Sequence, residues 1–241
     1  MKVYLDNNIL VDIEEETYHL SQFLAIPNIE YFFSETHMAE LINGLALHPE
    51  LKDIRIQTID RLCGNNYITP QLGPFKGGII KESPREIFDL SMRFRGMHDR
   101  LFQMSNAMKI NREAFLNEVK MNKLEVGNYH PTEIFGVLDN KLKEFWGYGI
   151  EVYLQKSLAS TGRGVFSALF NLLDFFCYWH DKNGAARLYD SSHAYFAQFC
   201  DVLVSNDKRM RIKTVAVYDY LGINKKVYSA DIFLKEYAAD N

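Results

Sequence analysis

The sequence predicts an α/β protein: a central parallel sheet assembled from the two ends of the chain, with a large helical insertion between them. Three observations predict it. Strand and helix patterns alternate over residues 2–64 and again after Gly184, an alternation that implies parallel strands joined by right-handed crossovers. Two apolar runs near opposite ends finish in a carboxylate: Lys2-Val3-Tyr4-Leu5 before Asp6, and Val202-Leu203-Val204-Ser205-Asn206 before Asp207. Between these regions helical periodicity dominates to about Asp181, with no good strand.

Residues 2–6 read as the first strand. Ile9, Leu10, Ile13, Leu20, Phe23 and Leu24 then trace an approximate helical stripe over residues 9–25. Residues 29–33 read as a second strand, with Ser34 as the N-cap of the next helix and Glu35 in its first turn. Pro49 suits the first turn of a further helix that Gly64 closes. Glycine and proline predict a loop over residues 65–81. Ser83-Pro84-Arg85-Glu86 combines a capping box with proline at the first helical position. Helical patterning follows, with breaks near Gly96, between Gly127 and Pro131, and around Gly162-Arg163-Gly164. After Gly184 the pattern predicts a helix over 187–199, a strand over 202–205, a helix over 208–221 closed by Gly222, a strand over 226–228 and a helix over 230–238. The expected organisation is a discontinuous α/β domain, residues 1–64 and 183–241, with residues 65–182 as a helical insertion packed on it.

Composition narrows the function classes. With 241 residues, 47% of them hydrophobic and 14% aromatic, the chain is long enough to bury a substantial core, to which its Tyr and Phe are assigned. A formal charge of −4 argues against coating nucleic acid by bulk electrostatics, so any such contact needs local basic patches. Cys63, Cys177 and Cys200 are odd in number and widely spaced, which fits neither a disulfide framework nor a zinc motif, and a reducing cytoplasm is expected. The most apolar stretch, residues 164–179, is interrupted by Asn171 and Asp174 and reads as a core helix too short for a bilayer, so no membrane is expected as a partner. The first residues carry no basic segment followed by an apolar core, so no signal peptide is expected.

In an open parallel sheet the carboxyl ends of the strands line one edge, and ligands bind in the crevice outside them. Asp6 and Asp207 fall there, although each taken singly also suits a turn or a helix cap. Glu40, in Ser34-Glu35-Thr36-His37-Met38-Ala39-Glu40-Leu41, and Asp190, in Tyr189-Asp190-Ser191-Ser192-His193-Ala194, sit where helices bring them to the same edge. Both lie close to apolar packing faces, where a charge needs a partner or a metal. Four converging carboxylates make an oxygen-rich pocket of the kind that holds Mg²⁺ or Mn²⁺, and without metal they repel one another. Asn8 and Ser205 are placed to orient ligands or water. His37 stands three residues from Glu40, yet the chain lacks the paired Glu-x-x-His pattern of a di-iron site, and His193 reads as a packed histidine. Lys208, Arg209, Arg211 and Lys213 follow the last acid and read either as contacts to RNA phosphates or as a solvated helix face; Arg93, Arg95 and Arg100 are the alternative cations.

The order of these motifs, strand-Asp6, the Glu40 helix, Asp190-Ser191-Ser192-His193-Ala194-Tyr195-Phe196-Ala197, and Leu203-Val204-Ser205-Asn206-Asp207-Lys208-Arg209-Met210, resembles the PIN-domain family of metal-dependent ribonucleases over roughly residues 1–50 and 185–235. In that family the acids lie at the positions matched here by Asp6, Glu40, Asp190 and Asp207, with a polar residue before the last one, matched by Ser205 or Asn206. The resemblance implies a three-layer α/β/α fold and a Mg²⁺- or Mn²⁺-dependent endoribonuclease that hydrolyses RNA phosphodiester bonds. It includes toxins of toxin–antitoxin pairs, so a protein inhibitor or partner docking through the insertion and a homodimer belong to the same expectation. The departure is the helical middle, far longer than the family's usual connection between the second and third acids, which leaves the substrate open. Two alternatives stand beside it: a haloacid-dehalogenase-like phosphatase, which needs a second Asp where this chain has Asn8, and a catalytically inactive PIN-fold interaction module. Whether Asp201 joins the acidic site is a question for the structure.

Overall fold

The computed structural model of the chain describes residues 1–70, 77–96, 100, 103, 112–157, 162–180 and 184–238. Its backbone divides into two compact units: Met1–Leu101, Phe196–Lys208 and Lys225–Asn241 form the first, and Phe102–Tyr195 with Arg209–Asn224 the second.

The first unit is built on one sheet. Strands β1 (Lys2–Leu5), β2 (Glu30–Ser34), β3 (Asn66–Thr69), β4 (Gly78–Lys81), β5 (Val202–Val204) and β6 (Lys226–Tyr228) lie in the order β4-β3-β2-β1-β5-β6. Every neighbouring pair is parallel except β3 with β4. The α/β class with a largely parallel central sheet is therefore present. Both faces are buried, as a parallel sheet requires. Val3, Leu5, Phe33 and Val204 enter one apolar cluster with Phe23, Ile59, Phe88 and Phe233, while the alternate residues Tyr4, Phe32, Ile68 and Leu203 are buried as well.

One part of the sheet departs from the sequence reading. Residues 65–81, expected as a loop, contain β3 and β4, paired from Asn66 opposite Lys81 to Thr69 opposite Gly78. Asn66-Tyr67-Ile68-Thr69 has the aromatic and β-branched content of a strand, and the glycines and prolines crowd the connection that follows. Residues 71–76 of that expected loop lie outside the described residues.

Local chemistry explains the helix boundaries. Asp6 caps α1 (Asn7–Glu14), its Oδ1 accepting from the Asn7 backbone N–H at 2.7 Å. The stripe expected over residues 9–25 breaks into α1 and α2 (Leu20–Leu24) because Glu16 takes a left-handed backbone, φ 61°, which lets Thr17 N–H reach Asp12 O at 2.8 Å. Ser34 caps α3 (Glu35–Gly44) and Gly64 closes α4 (Leu51–Cys63), as the sequence predicts. The Ser83–Glu86 capping box opens α5 (Pro84–Arg93). Between α1 and α4 a buried ion pair is bidentate: Arg55 Nε lies 2.5 Å from Glu14 Oε1 and Nη2 2.8 Å from Glu14 Oε2, while Nη1 donates to Asn7 Oδ1.

Among its described residues the second unit is helical: α6 (Arg112–Glu118), α7 (Lys123–Asn128), α8 (Pro131–Trp146), α9 (Ile150–Lys156), α10 (Arg163–Phe175), most of α11 (Gly184–Ala197) and all but the first residue of α12 (Lys208–Tyr220). The chain then returns to the first unit in β6 and α13 (Ala230–Tyr237). This differs from the expected division at residues 64 and 183, because β3, β4 and α5 group with the sheet while residues 184–195 and 209–224 group with the helices. Phe166, Tyr195 and Tyr218 pack edge to face at the centre of this second core. Asp174 is 0% exposed and takes Arg112 Nη2 at 2.5 Å and Arg187 Nη1 at 2.6 Å. No helix among the described residues is long and apolar enough to cross a membrane. Cys63, Cys177 and Cys200 are free and buried, and burial pushes each thiol upward.

Among the described residues, four helices end in the same motif, in which a left-handed residue lets the next N–H bond the carbonyl five residues back. The left-handed residue is Gly222 after α12, but Glu16, Lys120 and Cys177 after α1, α6 and α10. A side chain in that conformation costs roughly 1–2 kcal/mol that glycine avoids, offset by up to about 1 kcal/mol of extra freedom glycine gives the unfolded chain. Glu16→Gly at this exposed position is therefore expected to stabilise the first unit by about 0.5–1 kcal/mol and to raise its melting temperature by roughly 1–4 °C, measured by circular dichroism. An unchanged or lower melting temperature would show that Glu16 carries no net strain.

Candidate functional site

The strand order reverses at β1: the chain runs outward through β2 and β3 on one side, then resumes at β5 and β6 on the other. Such a reversal opens a crevice outside the carboxyl ends of the two strands that flank it. Asp6 follows the last residue of β1 there, and Ser205 the last residue of β5.

Asp6 is 5% exposed, and its carboxylate is held by donors from Asn7, Asn8 and Ser205. Oδ1 takes the Asn7 N–H, while Oδ2 takes the Ser205 hydroxyl at 2.7 Å and the Asn8 side-chain amide. The Ser205 oxygen in turn accepts from Asn8 Nδ2 at 3.0 Å and from the Asp207 backbone N–H at 3.1 Å. One hydroxyl thus ties the acid of β1 to the turn that carries Asp207. Asn206 locks the turn from behind, with its N–H on Asn8 Oδ1 at 3.0 Å, its side-chain amide on Asp12 Oδ2 at 2.6 Å, and its Oδ1 accepting from Ala230 N–H at 3.0 Å. Asp207 itself is exposed. The sequence marks Asn8 and Ser205 as supporting residues; the anchoring by Asn206 and Asp12 was missed, and its signal is an asparagine between two polar positions at a strand's end.

Beneath the acids lies a buried polar layer. Tyr4 Oη is 2.7 Å from Ser34 Oγ and 3.5 Å from His37 Nδ1. His37 Nδ1 also accepts from the Ser34 N–H at 3.1 Å, which assigns the proton to Nε2, 2.8 Å from Leu5 O. Both imidazole nitrogens are thereby engaged, so His37 is not available as a metal ligand beside Glu40. Burial first, and then the charges of Asp6 and Glu40, hold the Tyr4 phenol well above its usual range and keep it neutral; its bond to Ser34 works the other way. Glu40 is half-buried on α3.

The remaining expected residues divide. Asp190 lies in the second unit on α11, where Lys213 Nζ stands 3.4 Å from its Oδ2. Lys213 is 0% exposed, and its ammonium also lies 5.2 Å from the Phe170 ring centroid. This corrects the expectation of a lysine offered to RNA: Lys213 falls on the face of α12 shared with Met210, Ala216 and Val217, so helical periodicity carries it into the core. Lys208 and Arg209 are exposed and Arg211 is half-buried. Arg93 and Arg100 are exposed and Arg95 is half-buried. His193 is buried. Asp201 sits before β5, where its Oδ2 accepts from the Lys2 N–H at 2.8 Å and its Oδ1 lies 3.7 Å from Lys225 Nζ, at the opposite end of the strands from Asp6.

Among the described residues no three His, Cys, Asp or Glu side chains are grouped as a metal cage. The chain matches no protein-family model, no curated protein and no solved structure.

Proposed function

We propose that the chain is a divalent-cation-dependent endoribonuclease of PIN type. The observation that carries this reading is the position of Asp6, at the carboxyl end of the central strand where the strand order reverses, with the turn that carries Asp207 tied to it through Ser205. The donors fit hard cations: the carboxylates of Asp6, Glu40 and Asp207 and the hydroxyl of Ser205 supply oxygen only. Those acids would hold Mg²⁺ or Mn²⁺, which when bound neutralises a phosphodiester and makes a water more acidic. Asn8 and Ser205 fix the Asp6 carboxylate, and the neutral Tyr4–Ser34–His37 layer adds no competing cation below it. Lys208, exposed beside Asp207, offers a phosphate contact. Asp190, paired with Lys213 in its own unit, is left outside the reading.

That buried lysine favours one second reading, a PIN-like interaction module that does not cut. Incubation of the purified protein with a mixed RNA pool in Mn²⁺, in Mg²⁺ and in EDTA separates the two. Internal cleavage with either cation and none in EDTA is expected; an RNA pool left intact under all three conditions would refute the nuclease.

A further inference from the structure

The second unit carries a cavity that the sheet-edge chemistry does not use. Its volume is about 860 Å³, within the range of ligand sites, and it lies between α6, the turn that follows it, and the turn after α10 that reaches His180. A second cavity of about 390 Å³ has Lys123, Cys177 and His180 in common with the first, so the two are neighbours. Arg112, Lys120 and Lys123 line the first and Arg209 the second, against the carboxylates of Glu113 and Glu125. The Asp174 carboxylate fixes Arg112 in place from the buried side. Lys120 and Lys123 are both exposed. Burial, followed by the charges of Lys123 and Arg112, lowers the pKa of His180, consistent with a positive local field.

An aromatic ring completes the groove. Trp179 is half-buried, lines the second cavity, and has a left-handed backbone, φ 47°. Cys177 already supplies the left-handed residue that closes α10, so the cap does not require a second one at Trp179. Backbone strain held next to a cavity points to a positioned side chain. Cations spread along a groove with an aromatic face beside them are how proteins hold unpaired nucleotides, through phosphates and base stacking. A duplex presents no free base face to such a ring.

We propose that these neighbouring cavities together bind single-stranded RNA, with Lys120, Lys123 and Arg209 on successive phosphates and Trp179 stacked on a base. The choice of RNA among polyanions rests on the nuclease reading. Because the cations are distributed over both cavities, a strand is favoured over one free nucleotide.

The test uses the full chain in EDTA and a fluorescent single-stranded uridine oligomer, with affinity followed by anisotropy over a range of salt. Lys120→Gly with Lys123→Ala is expected to weaken binding and to lower the salt slope by roughly 0.7 for each phosphate that is no longer neutralised. Glycine suits the left-handed backbone of Lys120, and both side chains are exposed, so this variant retains the fold. Trp179→Ala is expected to weaken binding about tenfold or more with the salt slope unchanged. The chain has 2 tryptophans, so in Trp146→Phe the emission reports Trp179 alone, and the oligomer is expected to quench it. Wild-type affinity and slope in the lysine variant, or unquenched Trp179 at saturation, overturns the proposal. Uridine monophosphate that saturates the cavity and displaces the oligomer also overturns it, in favour of a nucleotide pocket. A protein that never cuts RNA but loses binding in these variants retains this site and loses the nuclease reading. One that cuts RNA but binds normally in all of them does the reverse.

Discussion

Asp6→Asn is expected to reduce metal-dependent RNA cleavage on the order of 10³-fold, the loss of about 4 kcal/mol of charge stabilisation at the proposed cation site. The effect is large because Asp6 is the acid of the central strand, held rigidly by Asn7, Asn8 and Ser205. The fold survives, since asparagine caps a helix as well as aspartate does and can still accept from the Asn7 N–H. The sequence alone suggests that removing a charge here relieves repulsion between acids and raises stability. The geometry reverses that sign: the carboxylate accepts from Asn7, Asn8 and Ser205, and an amide nitrogen in place of Oδ2 faces the last two. A loss of about 1–2 kcal/mol is expected, visible as a small fall in melting temperature without metal. Undiminished cleavage by the folded variant would end the nuclease assignment.

The largest stability effect is expected at Asp174. Its carboxylate is fully buried between two guanidiniums, and Arg187 is itself almost fully enclosed. Asp174→Ala leaves both cations uncompensated, which costs about 3–5 kcal/mol and lowers the melting transition of the helical unit by roughly 6–20 °C. Asp174→Asn keeps one acceptor and is expected to lose less. Equal melting curves for wild type and Asp174→Ala, by calorimetry, would show that the triad is not a net support. In the same variant Arg112 loses its anchor, so oligonucleotide binding in the second unit is expected to weaken along with stability.

Much of the fold is readable from local chemistry. Ser34, Ser83, Gly64 and Gly222 mark helix ends because side-chain hydroxyls satisfy first-turn N–H groups and glycine turns left-handed without penalty. The β3–β4 hairpin was hidden because two four-residue strands flank a connection dense in turn formers, and composition averages over all of it. The break after Glu14 was hidden because it depends on a glutamate in a conformation that glycine usually takes. At the site, Asp6 and Asp207 are legible as residues at the ends of apolar strands. The ion pair of Asp190 with Lys213 is a contact between helices α11 and α12, and only the spacing from Met210 hinted that Lys213 turns inward. Tyr4 showed as a polar atom in an apolar strand, but its link to His37 is tertiary.

The sheet's register has a consequence for how the protein is made. β1 pairs with β5, Val3 opposite Val202, and Asp6 meets Ser205 across a sequence separation of 199 residues. At roughly 5–20 residues per second, ribosomal synthesis leaves the open flank of β1 without its neighbour for on the order of 10–40 s. The helical unit must wait too, because it takes residues 209–224 from beyond β5. Neither unit is contiguous, so no single cut in the chain releases either one whole. A nascent chain of this design keeps an unpaired strand edge exposed until β5 emerges, a period in which that edge is open to pairing with other chains.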